Sequence, residues 1–315
     1  MAAAIGAVVS LAGAVAHADH VEGGHLVAVG PTSPLHGYPV WYRDASGLTL
    51  ELCYDHRDPL CNVPAEDVPD PTQPVAFPDN FPGESFWWAA EAEMTTSAGD
   101  ARLVLALEAA WNAEVVRDGD QVSFGRVRIR IDLAEPGVYT LTHPYGIDTF
   151  EVTETGRRAI NETEDIGVAR GVFTGALESR IGPFLVWSAD APAPPAGYVG
   201  DPGVPHRVVG SPFLDPRRPG MPQNVFRIEG PNVGTPGSPF LCEPNNLDCI
   251  ETDLFSVMGK IATLSGITVD RVSYARDANG AVSLAAFASS DPDQEVTIAG
   301  NGVESEEPMQ GEEGR

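Results

Sequence analysis

Lysine is almost missing from this 315-residue chain. Lys260 stands alone beside 18 arginines and 45 Asp and Glu, and the net charge is −26. A surface this acidic repels phosphate backbones, which disfavours a nucleic-acid partner. No apolar run reaches the ~20 residues that a bilayer core requires, so no transmembrane helix is expected in the mature chain. Signatures of common enzymes are missing as well. There is no Gly-x-Ser-x-Gly elbow, no His-Glu-x-x-His, and no glycine-rich phosphate loop followed by Lys. Paired carboxylates for glycoside cleavage stay open, because 45 acids always offer some pair.

Cysteine is scarce but patterned. Four residues form two tight local pairs, Cys53 with Cys61 and Cys242 with Cys249. Structural zinc wants spacings of two to four residues and four ligands together, which these pairs do not provide. Disulfides are expected instead, each closing a short loop worth roughly 2–3 kcal/mol. That expectation fits the amino terminus. An apolar run over 5–15 is followed by Ala14-Val15-Ala16 and Ala16-His17-Ala18, both small-x-small sites for a signal peptidase. No basic residue precedes the run, which points to a start upstream of Met1; a buried Ala-rich helix is the alternative. Residues 1–18 are therefore read as a signal peptide and the protein as secreted, extracellular or periplasmic, where both bridges can close.

What the chain has in quantity is turn formers and alternation. Its 33 glycines and 28 prolines stay below the ~25–30% of low-complexity sequence, and 43% apolar content suffices for a core. Runs at 39–43 and 48–53 flank a four-residue turn and predict a hairpin. Residues 86–111 are Ala-rich, yet Ala90, Ala92, Met94 and then Leu103, Leu105, Leu107 recur with period two, predicting two strands. Val127, Ile129 and Ile131 alternate with Arg126, Arg128 and Arg130, giving one apolar and one charged face. Further strands are expected at 138–142, 149–152, 184–187, 225–228, 254–258 and 269–275. The turn at 135–137 feeds Tyr139, as in the tyrosine corner of immunoglobulin-like sandwiches. The pattern loosens from Gly156. The fold class expected is all-β, with two successive immunoglobulin-like β-sandwich domains and long Pro/Gly-rich loops. The domains would span 19–155 and 181–300, with a connection at 156–180 and a disordered acidic tail at 301–315.

Candidate binding residues are few. Trp41, Trp87 and Trp88 could stack on sugars or on a partner protein, although adjacent strand residues face opposite ways and some of these rings must be core. Asp55, Asp58, Glu243 and Asp248 in the cysteine loops could ligate calcium, but lack the spacing of a dedicated loop and are ordinary turn formers. No cofactor is expected beyond that weak calcium option. His17, His20, His25 and His36 cluster near the amino terminus. Cleavage after Ala16 would leave His17 as a terminal copper ligand; cleavage after Ala18 would not. His143 and His206 neighbour prolines and are read as structural. Asn161-Glu162-Thr163 matches the glycosylation triplet.

The run 37–44 followed by 50–53, the segment 139–146 and the segment 226–231 resemble a pattern in a family of secreted bacterial all-β proteins without an assigned activity. The similarity spans most of residues 26–290. It implies an extracellular, immunoglobulin-like all-β protein and transfers no catalytic residue. The function expected is a secreted or cell-surface structural or adhesive β-protein without catalysis, with a protein or glycan partner. The alternative is a secreted carbohydrate-active enzyme or a glycan- or calcium-binding module.

Overall fold

Alternating side chains need a sheet that can bury one face, and the backbone supplies it. The computed structural model describes residues 25–113 and 115–263, together with the strand segments 17–18, 268–276, 282–289, 295–300 and 303–308. The amino-terminal strands are β1 (His17–Ala18), β2 (Leu26–Val29), β3 (Trp41–Asp44), β4 (Thr49–Glu51), β5 (Ser85–Thr95), β6 (Asp100–Trp111) and β7 (Gln121–Leu133). Next come β8 (Gly137–His143), β9 (Gly146–Val152), β10 (Gly156–Ile166), β11 (Val186–Trp187), β12 (His206–Val209), β13 (Phe226–Glu229), β14 (Cys249–Thr252) and β15 (Leu254–Ile261). Two hairpins follow, β16 (Thr268–Arg276) with β17 (Val282–Ser289), and β18 (Glu295–Gly300) with β19 (Val303–Pro308). Helix among the described residues is limited to two short 3-10 turns, Ala65–Asp67 and Phe173–Glu178. None is long and apolar enough to cross a membrane. The leader apart from His17–Ala18, His20, the 277–280 turn and the ends of the acidic tail lie outside the described residues.

The protein is all-β, and the strand pairs among the described residues are antiparallel. The larger sheet runs β10-β7-β6-β5-β15-β4-β3-β2, with β12 beside β15 and β11 beside β12. The smaller sheet runs β1-β9-β8-β13-β14. The Ala-rich stretch 86–111 is two long strands: Ala90, Ala92 and Met94 face inward from β5, and Leu103, Leu105 and Leu107 from β6. Period two prevails over the helix propensity of alanine because one sheet face is buried.

Two successive sandwiches are not confirmed by this strand order. β15, near residue 260, lies between β5 and β4, and β13 pairs with β8. One apolar cluster takes Leu103, Ile129 and Leu141 from the first half and Phe226, Ile250 and Val257 from the second. Separate domains would need separate cores.

Residues 156–166, expected as connection, form the eleven-residue strand β10 along β7. Only Ile160 in it is buried, so no alternation announces it. Cross-strand pairs hold it instead, chiefly Asp165 receiving two hydrogen bonds from Arg126 at 2.7 and 2.8 Å. Tyr139 closes the expected corner. Its hydroxyl donates to the Glu135 carbonyl at 2.8 Å and also reaches that of Pro231 at 3.0 Å. Gly230 makes room for this ring, since a Cβ there would overlap it.

Candidate functional site

Pleating sends alternate residues of β5, β6 and β7 to opposite sides of the large sheet. The outward set carries Glu91 and Glu93, Arg102 and Glu108, then Arg126, Arg128, Arg130 and Asp132. Register sets Arg102 of β6 directly opposite Arg130 of β7. On the other flank, β10 places Asn161 opposite Arg130 and Thr163 opposite Arg128.

Three hollows lie along this face. The first, about 450 Å³, is lined by Arg102, Arg130, Asp132, Arg157, Arg158 and Phe240, among others. The second, about 220 Å³, shares Arg102 and Arg130 with it and extends to Glu108 and Arg126, with Asn62, Pro64 and Asp67 on its far wall. A third, about 300 Å³, shares Glu93 and Phe240 with the first and Glu91 with the second. Shared walls make them one groove running across the sheet from β10 to β15.

Charge in the groove is unevenly satisfied. Arg102 is held by Glu91 at 2.5 and 2.6 Å. Arg126 bridges Asp165 and Glu108, the latter at 2.8 Å. Among the described residues Arg128 has only the Thr163 hydroxyl at 3.3 Å. Arg130, Arg157 and Arg158 have no carboxylate within ion-pair distance among the described residues, and the Arg130 Nε is shut from solvent with no hydrogen-bond partner there. Arg158 sits at φ +52° and gives its backbone N–H to Asp132 at 2.7 Å. Burial, then the neighbouring Arg158, Arg102 and Arg126, lowers the proton affinity of Arg130; burial, then Arg126 and Arg130, lowers that of Arg128. Guanidinium keeps its charge regardless. Glu93, Asp100 and Asp132 line the same hollow, but none is within ion-pair distance of Arg130, Arg157 or Arg158.

Two acids of this face are perturbed by burial. Glu108 is 1% exposed, with Oε1 unpartnered, and burial raises its pKa to about 8 despite Arg126. Burial also raises Glu91, opposed by its contact with Arg102.

The residues singled out by sequence fall elsewhere. Both disulfides are formed and no cysteine is free. Trp87 and Trp88 are fully buried and Trp41 is 4% exposed, so all three rings are core and offer no face to a ligand. A β-bulge between Phe86 and Trp88 lets two adjacent tryptophans enter one core, donating from Nε1 to the carbonyls of Pro39 and Leu185. Of the loop acids, Asp55 pairs with Arg57 at 2.6 Å, Asp58 accepts from the Tyr198 hydroxyl at 2.5 Å, Glu243 pairs with Arg217 and Asp248 accepts from the Asn232 backbone. Asp58 also lies near the sulfurs of Cys53 and Cys61, but those are bonded to each other. His25 contacts the Gly182 carbonyl, and His206 stacks on Trp187 at 4.5 Å. Buried His143 accepts from the Tyr145 N–H through Nδ1, so Nε2 donates to Asp148 at 2.9 Å; Arg180 completes that cluster. Asn161 is exposed on β10.

The groove arginines were the residues that sequence reasoning passed over. Their signal was present: Arg126, Arg128, Arg130 and the pair Arg157-Arg158 are basic runs in a −26 chain, matched elsewhere by the pair Arg217-Arg218. No protein-family model matches this chain, and no curated protein or solved structure matches it either.

Proposed function

We propose that this is a secreted or cell-surface adhesive β-protein that holds a glycan in the groove across β10, β7, β6, β5 and β15, without turning it over. The observation that carries this reading is the continuity of the groove on a rigid sheet, with hydrogen-bonding side chains along it and the Phe240 ring at its side. Sheet-borne side chains are held more firmly than loop-borne ones, which suits standing recognition. Two closed bridges support an extracellular setting. The Tyr139 corner between facing antiparallel sheets supports an immunoglobulin-like relationship for this part of the molecule.

A hydrolase is the second reading, because seven acids line the hollows: Asp67, Glu84, Glu91, Glu93, Asp100, Glu108 and Asp132. Binding without turnover is favoured because two of them are already held, Glu91 by Arg102 and Glu108 by Arg126. Affinity gel electrophoresis against a panel of soluble polysaccharides, with reducing ends measured in parallel, tests the proposal. Retardation without release of reducing ends is expected. Release of reducing ends, or no retardation by any polysaccharide, overturns it.

A further inference from the structure

The arginine end of the groove says more about the ligand than the groove as a whole. Arg130, Arg157 and Arg158 converge on one hollow of about 450 Å³ with no carboxylate partner among the described residues. Arg102, Arg126 and Arg180, by contrast, each have one at 2.5 to 3.1 Å. Arg157 and Arg158 are exposed and Arg130 is half-buried, so all three guanidinium groups keep N–H donors free for an incoming anion. Guanidinium matches carboxylate and sulfate with paired N–H donors, each bond stronger than a neutral one. Phe240, packed partly against the core, adds an aromatic side chain to the same wall.

We propose that this end of the groove binds a polyanionic polysaccharide, whose carboxylate or sulfate groups sit on Arg130, Arg157 and Arg158. This rests on the reading of the groove as a glycan surface. The overall charge does not forbid it. At 0.15 M salt the Debye length is about 8 Å, so acids beyond the hollow are screened; against Glu93, Asp100 and Asp132 on its wall stand the four arginines Arg102, Arg130, Arg157 and Arg158.

The test uses the full chain at 0.15 M salt in affinity electrophoresis and biolayer interferometry. Four probes are compared: polygalacturonate, dextran sulfate, neutral dextran and poly-L-glutamate. Binding to polygalacturonate or dextran sulfate, and not to neutral dextran, is expected; the stronger of the two identifies carboxylate or sulfate as the group recognised. Arg130→Gln, Arg157→Gln and Arg158→Asn should each weaken binding about tenfold, the loss of one charge-assisted contact. Asn is chosen at 158 because it tolerates φ > 0. Arg117→Gln, at the opposite end of β6 and β7, should leave binding unchanged. Arg157 is exposed on β10, so its variant tests the proposal even where Arg130→Gln fails to fold. Equal binding of neutral dextran overturns the anionic assignment and leaves the glycan groove standing. Binding of poly-L-glutamate alone overturns it in favour of an acidic protein. Silence from every polysaccharide overturns both.

Discussion

Two buried groups, Glu108 and His36, are shifted in opposite senses by burial. Glu108 keeps its proton up to about pH 8 because its carboxyl is buried and Oε1 has no donor, against about 4.5 when exposed. The folded state therefore holds the extra proton between those limits, and stability falls as pH rises through that window. His36, accepting the Tyr38 N–H and held to about 4 by burial, is the mirror case. Its stability contribution is complete above 6.5 and is lost as pH falls towards 4. Urea midpoints from pH 4 to 9 should thus peak between about 5 and 6.5. Glu108→Gln, which copies the protonated form, should flatten the alkaline limb, whose height is on the order of 1–4 kcal/mol. An unchanged alkaline limb in that variant would assign the slope to another group.

At the scale of elements, the first cysteine loop acts as a wall of the groove. The bridge joins Cys53, bonded to Phe86 at the start of β5, to a small satellite cluster of Cys61, Val63 and Val68 under Tyr198. The adjoining Asn62 and Pro64 then face the groove. Replacing Cys53 and Cys61 by serine should lower stability by about 2–3 kcal/mol and open 53–84 to limited proteolysis. Denaturant melts and mapping of the cleavage sites would show it; unchanged protection would mean that the loop is ordered without the bridge. Strands were legible wherever one face is buried, as at Val127, Ile129 and Ile131. β10 was not legible, because its partners are Arg126 and Arg128 across the ladder and its own sequence shows no period. Trp87 misled for a related reason, since a bulge shifts the pleat and no residue type marks it. The groove was half visible. Its charged face could be read from Arg126, Arg128 and Arg130, but the approach of Arg157 and Arg158 depends on the register of a strand that the sequence concealed.

For the molecule as a whole, one core predicts one transition. Because β15 completes a sheet begun by β5, residues 25–263 should melt as a single cooperative unit by calorimetry, with van't Hoff and calorimetric enthalpies in agreement. A chain ended at residue 180 should show no cooperative melt, since β5 and β4 then lose the strand between them; two resolved transitions in the full chain would contradict this. The threading of β15 also has a bearing on biosynthesis. Its partners in β5 were made about 170 residues earlier. Until the ribosome has released the segment near residue 260, the finished amino-terminal strands wait with an unzipped edge that neighbouring nascent chains can capture, a hazard that shielding by a chaperone would remove.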